Sequence, residues 1–192
     1  MARTQKRSPS KSNEQAPPPR RLPWKGIVIA VAIIGGLGLL VVLDPPPPGT
    51  VFADQGNAHL ETPSDPHAAY NSSPPSSGPH WGGLANWGVN PEPIPPEIFV
   101  HNLEDGGIVF AYDCPDGCDG LQADLEAYVT AAGGRTLLTE YDGIVDADGN
   151  RRRAAAVAWT RVFYFDDLDD AVRGEVDAFV RIYQGLNHHV GA

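Results

Sequence analysis

Residues 26–43, GIVIAVAIIGGLGLLVVL, form 18 consecutive positions without a charge or a strongly polar side chain. At about 1.5 Å of rise per residue such a helix reaches roughly 27 Å, close to the ~30 Å hydrocarbon core of a bilayer. The segment therefore predicts a transmembrane helix, with Trp24 at its start. Gly35, Gly36 and Gly38 would weaken a helix in water but are ordinary in a membrane helix, where small residues permit close packing. A cleaved signal peptide is the competing reading, with Val51-Phe52-Ala53 as its small-residue site. The apolar run exceeds the ~7–15 residues of such a peptide's core, and the site lies well past its end. A retained anchor is the expectation.

Charge divides at the same place. Residues 1–25 carry seven Lys/Arg and one acid, whereas residues 26–192 carry seven Arg, no Lys and 23 acids, so a +6 tail precedes a −16 remainder. By the positive-inside rule the basic tail stays in the cytoplasm, and everything after Asp44 faces outward from the plasma membrane. An acidic exported part repels phosphate backbones, which argues against nucleic acid as a partner. The expected partners are the membrane itself and an envelope protein. The expected organisation is a disordered basic tail over residues 1–25, the helix over 26–43, a Pro-rich spacer over 44–50 and one extracytoplasmic domain over 51–192.

Residues 52–96 are rich in Pro, Gly, Ser and Asn and show no sustained period, yet they hold four aromatic residues and three histidines. The remainder is regular. Residues 98–101 and 108–112 read as strands around the turn at Gly106-Gly107. Asp119 caps a helix carrying Leu121, Leu125, Tyr128, Val129 and Ala132, which Gly133-Gly134 stops. Residues 136–141 and 156–165 read as two further strands, and Asp167 caps a last helix with Leu168, Val172, Phe179 and Tyr183 facing inward. The expected fold is α+β: a small antiparallel or mixed sheet with two helices on one face, ordered ββαββα, behind a long irregular segment.

The two cysteines stand in Cys114-Pro115-Asp116-Gly117-Cys118. In an oxidising compartment a local disulfide is the simplest reading. Thiol–disulfide exchange, with Cys118 just before a helix, and copper binding by two thiolates are the alternatives.

The histidines carry the sharper signal. In Pro74-Pro75-Ser76-Ser77-Gly78-Pro79-His80-Trp81 the prolines fix φ and Gly78 permits a sharp turn, so His80 is held in one orientation. A second cluster, His101-Asn102-Leu103-Glu104-Asp105-Gly106, lies between the first two expected strands. On an extended chain His101 and Glu104 point to opposite faces unless a bulge at Asp105-Gly106 turns Glu104 back. The candidate metal ligands are His80, His101, Glu104 and Asp105, with Tyr70 or His67 nearby. Imidazole with carboxylate suits zinc, copper or non-haem iron as the cofactor. Alternatively His80 and His101 are hydrogen-bonded pins of a loop-rich domain. His188 and His189 fall in an expected frayed tail, outside any site. No residue is assigned a catalytic role or the binding of an organic cofactor.

The pattern Pro-Pro-x-Ser-Gly-Pro-His, followed by His-x-Leu-Glu-x-Gly and a strand ending in Tyr, resembles the domain of unknown function family 3105, membrane-anchored bacterial extracytoplasmic proteins. The resemblance spans roughly residues 50–186 and implies an anchored domain outside the membrane; it implies no particular activity. The family reads His-x-Leu-Glu-His-Gly, and this chain has Asp105 at the second histidine, which would exchange an imidazole ligand for a carboxylate. The acids at 166, 167, 169 and 170 suit a helix start better than a calcium loop, and Arg151, Arg152 and Arg153 beside Asp146 and Asp148 read as a solvated hairpin. The functional expectation is metal binding at the envelope rather than turnover of an organic substrate. The alternatives are a structural or interaction module docking through Trp81 and Trp87, and a metal-dependent or thiol–disulfide oxidoreductase.

Overall fold

The computed structural model describes residues 46–118 and 120–189. The basic tail, the expected membrane helix and the start of the spacer lie outside these residues. Among the described residues no helix is long and apolar enough to cross a membrane.

The fold is α+β with a mixed six-stranded sheet. Among the described residues are eight strands: β1 (Thr50–Val51), β2 (His59–Leu60), β3 (His80–Trp81), β4 (Gly88–Val89), β5 (Ile108–Tyr112), β6 (Thr136–Glu140), β7 (Ala154–Ala158) and β8 (Arg161–Phe165). The same residues hold three helices: α1 (Pro96–Glu104), α2 (Leu121–Ala132) and α3 (Asp170–Tyr183). The main sheet runs β1-β8-β7-β5-β6-β4, and β2 and β3 form a separate parallel pair. Strands β5 and β6 are parallel and joined through α2, whereas β5–β7, β7–β8 and β8–β1 are antiparallel.

Alternation along β5 explains the layering. Ile108 and Phe110 enter a core with Leu125, Val129, Val176 and Phe179 of α2 and α3. Val109 and Ala111 enter another with Phe99, Val100 and Leu103 of α1. Both faces of the sheet are therefore covered, and the expected arrangement of two helices on a single face is corrected to three helices on two faces. The irregular segment closes the α1 side, where Phe52, Tyr70, Ala85, Trp87 and Ile94 pack against the core.

Two expected strands are corrected. Residues 98–101 belong to α1: Pro96 stands at its first turn, Glu97 complements the dipole there, and Pro95 precedes it in an extended conformation. Because α1 is wedged between sheet and irregular segment, Phe99 through Glu104 are all buried, a continuous burial that imitates a buried strand. Residues 156–165 are not one strand but a hairpin, turning at Trp159-Thr160 with Thr160 at φ 60°. The other elements lie where expected, with small shifts of their caps. Gly120 precedes α2 at φ 93°, while Asp119 lies outside the described residues. Asp169, not Asp167, caps α3 by accepting a hydrogen bond from the Val172 amide at 2.9 Å.

Candidate metal centre

Strands β2 and β3 are only two residues long, yet they set the site. His59 pairs directly with His80 in their parallel register, which places the two side chains next to each other. The turn before β3 is tightly determined. Pro74 through Gly78 are buried, and Gly78 has φ 125°, where a Cβ would also press on the Tyr70 ring at 3.1 Å. The Tyr70 hydroxyl donates to the Pro79 carbonyl at 2.7 Å, so Tyr70 is a pin of this turn and not a ligand. His67 lies apart from the cluster, paired with Glu97 at 3.1 Å.

Helix α1 supplies the opposite wall. With 3.6 residues per turn, His101 and Glu104 share one side of its last turn, which replaces the opposed placement of an extended chain. Asn102 anchors the helix to the irregular segment: its Oδ1 accepts from the Ala85 amide at 2.9 Å and its Nδ2 donates to the Ala85 carbonyl at 3.0 Å.

Three imidazoles converge on Glu104. His80 Nε2 lies 2.9 Å from Glu104 Oε2, His59 Nε2 at 3.4 Å and His101 Nδ1 at 3.9 Å. One ligand atom from each of the four residues lies within 4.8 Å of every other. Four ligands about 2.0–2.1 Å from a zinc-type ion are separated by roughly 3.3 Å, and the three distances to Oε2 straddle that spacing. The other oxygen, Oε1, accepts from Asn57 Nδ2 at 2.7 Å and lies 3.1 Å from His189 Nδ1. The Glu104 side chain is fully buried. Among the described residues its charged partners are histidines alone, with no Lys or Arg.

Hydrogen bonding fixes the chemistry further. His80 Nδ1 lies 2.8 Å from the Gly78 carbonyl, which can only accept, so Nδ1 carries a proton. Its Nε2 therefore faces the carboxylate with either a second proton or a metal ion between them. Carbonyl support of a ring N–H is also the usual way to orient a histidine ligand. His101 Nδ1 is buried and without a hydrogen-bond partner. Burial, reinforced by nearby His80, pushes the His101 pKa below its ordinary value, favouring the neutral ring a metal requires. Burial alone would raise the Glu104 carboxyl, but the Asn57 hydrogen bond together with His80 and His189 holds it below the usual range.

The sequence thus placed His80, His101 and Glu104 in a group that the fold assembles. Asp105 does not join that group; it meets His101 and His189 in an adjacent one. His59 joins them although nothing in its local sequence marks it, because its pairing with His80 is a register between distant segments. The expectation of a frayed tail at His188 and His189 is corrected, because the tail returns to the site: the His188 amide donates to the Glu104 carbonyl at 2.9 Å, and the His188 ring stacks on Trp159 with centroids 5.8 Å apart.

The cysteines are joined as a disulfide and pack with the α2–α3 core, on the sheet face opposite α1, so the copper reading with two free thiolates does not hold in this structure. Of the two tryptophans considered for docking, Trp87 packs against the α1 core and only Trp81 is exposed.

An α+β domain with a histidine–carboxylate cluster capable of holding a metal ion is the class that fold and site define. The family model described as "Protein of unknown function (DUF3105)" matches residues 62–191, and the chain belongs to that family. No curated protein and no solved structure matches.

Proposed function

We propose that this chain is a membrane-anchored, extracytoplasmic metal-binding protein that holds one transition-metal ion between His59, His80, His101 and Glu104. The observation that carries the reading is the fully buried Glu104 carboxylate at the end of a helix, faced by imidazole nitrogens of His59, His80, His101 and His189 and by no permanent cation among the described residues. A helix C-terminus is the negative end of the dipole, so a carboxylate there gains nothing from the backbone and requires a cation. A divalent ion would supply that charge and displace the proton from His80 Nε2. Three nitrogens and one oxygen suit zinc, copper or non-haem iron. The apolar run at 26–43 and the charge split around it support the anchor and its orientation.

The test uses the full chain purified in detergent, loaded separately with zinc, copper or ferrous iron, freed of excess metal and analysed for bound metal. One tightly held equivalent is expected, lost in Glu104→Gln and in the His80→Ala/His101→Ala double variant. Circular dichroism separates loss of ligands from loss of fold. Retention of only trace metal by the wild-type chain contradicts the reading.

A further inference from the structure

Beside the buried cluster lies a second convergence of ligand atoms, formed by His101, Asp105 and His189. We propose that it is a second cation subsite, sharing His101 with the first through the opposite ring nitrogen, so that the centre is built for two metal ions and His101 would release its remaining ring proton to solvent when both are bound. The inference rests on the reading of the His59–His80–His101–Glu104 group as a metal site and extends it.

The geometry around His189 carries the argument. Its Nε2 lies 2.7 Å from Asp105 Oδ1 and its Nδ1 lies 3.1 Å from Glu104 Oε1. The ring therefore has a carboxylate oxygen near each nitrogen, and either nitrogen can serve as a metal ligand. Asp105 follows Glu104 directly, so two carboxylates stand together at the negative end of α1, where the dipole disfavours both. The Arg135 guanidinium at this end of α1 donates to the Asp105 backbone carbonyl, and among the described residues the ion-pair partner of the Asp105 carboxylate itself is His189. A second ion beside Asp105 would add full positive charge at the carboxylate.

The tail is fastened where this subsite needs it. The Gly185 amide donates to the Gly106 carbonyl at 2.7 Å. Gly106 has φ 77°, and a Cβ there would lie 2.6 Å from the Leu186 carbonyl oxygen, so the two backbones touch. His189 is therefore delivered by a docked segment. The two subsites also differ in openness. The Glu104 and His80 side chains are fully buried, whereas that of His189 is 40% exposed and that of Asp105 is 24% exposed. Two imidazoles and one carboxylate at a partly open position leave room for water or an incoming oxygen ligand on the second ion, a donor set familiar for iron and zinc. The inner ion would be held more tightly.

Zinc titration of the full chain in detergent, with bound zinc and released protons counted, tests this. The wild-type chain is expected to bind two equivalents, one tight and one weaker. Asp105→Asn and His189→Ala should each abolish the weaker equivalent and spare the tight one, whereas Glu104→Gln should remove the tight one. A single equivalent unchanged by Asp105→Asn and His189→Ala overturns the second subsite and leaves the first intact. Loss of the tight equivalent in either variant also overturns it, because both residues would then serve one site. No zinc in the wild-type chain contradicts the underlying metal reading itself.

Discussion

A carboxylate with no solvent exposure, at the negative end of a helix, must be neutralised by its surroundings, and around Glu104 these are Asn57 and four histidines. Acid should therefore loosen the metal-free fold in two stages. The buried His101 resists protonation when folded, so the unfolded chain takes up the extra proton; stability is complete above the ordinary histidine value of 6.5 and declines as pH falls below it. Glu104 has a folded pKa below its ordinary value of 4.5, so its contribution is complete above that value and is lost as pH falls through the folded one. Denaturant midpoints measured from about pH 7 down to about pH 3 should fall over both ranges, and a flat profile above about pH 5 contradicts the assignment of His101. Asn57→Ala removes the donor that orients Glu104 Oε1 and is expected to weaken metal binding by roughly 10–100-fold, as read by competition with a chelator. His80, His101 and Glu104 were legible because prolines and a glycine-terminated acidic motif frame them locally. His59 and His189 carry no such frame; they reach the site through a strand register and a returning tail that only the fold creates.

At the scale of elements, α1 holds the centre together, although part of its sequence has the character of a strand. Ile98, Phe99 and Val100 suggest a strand, and the counter-signal was Pro95-Pro96-Glu97, a proline at the first helical turn with an acid behind it. The hairpin at Trp159-Thr160 was hidden for a related reason: its turn contains no Gly, Asn, Asp or Pro, and Thr160 adopts the left-handed conformation unaided by composition. Asn102→Ala should leave the half-buried Ala85 amide and carbonyl without their Asn102 partner, costing about 1–3 kcal/mol, measured as a lower denaturant midpoint with an unchanged m-value. Gly106→Ala should strain the left-handed position by about 1–2 kcal/mol and push the tail away at Leu186. Its expected signature is faster amide exchange over residues 185–189, with α2 and β6 unaffected.

For the whole molecule, we propose an outward-facing domain on a membrane anchor, a direction supported by the charge split between residues 1–25 and 26–192. With Ser8→Cys in the tail and Ala147→Cys on the exposed turn before β7, a membrane-impermeant maleimide should label only the second variant in intact cells. Labelling of Ser8→Cys without permeabilisation contradicts the topology. The α+β class, strands β5 and β6 and helices α2 and α3 could be read from periodicity. The covering of both sheet faces could not, because the irregular segment that closes the α1 side has no period to reveal it. The central claim is that the converging histidines and Glu104 hold a metal ion. Its most direct test is elemental analysis of the full chain after metal loading and removal of excess metal, beside Glu104→Gln treated identically. About one tightly bound ion in the wild type and none in the variant is the predicted result; trace metal in both, or equal metal in both, contradicts it.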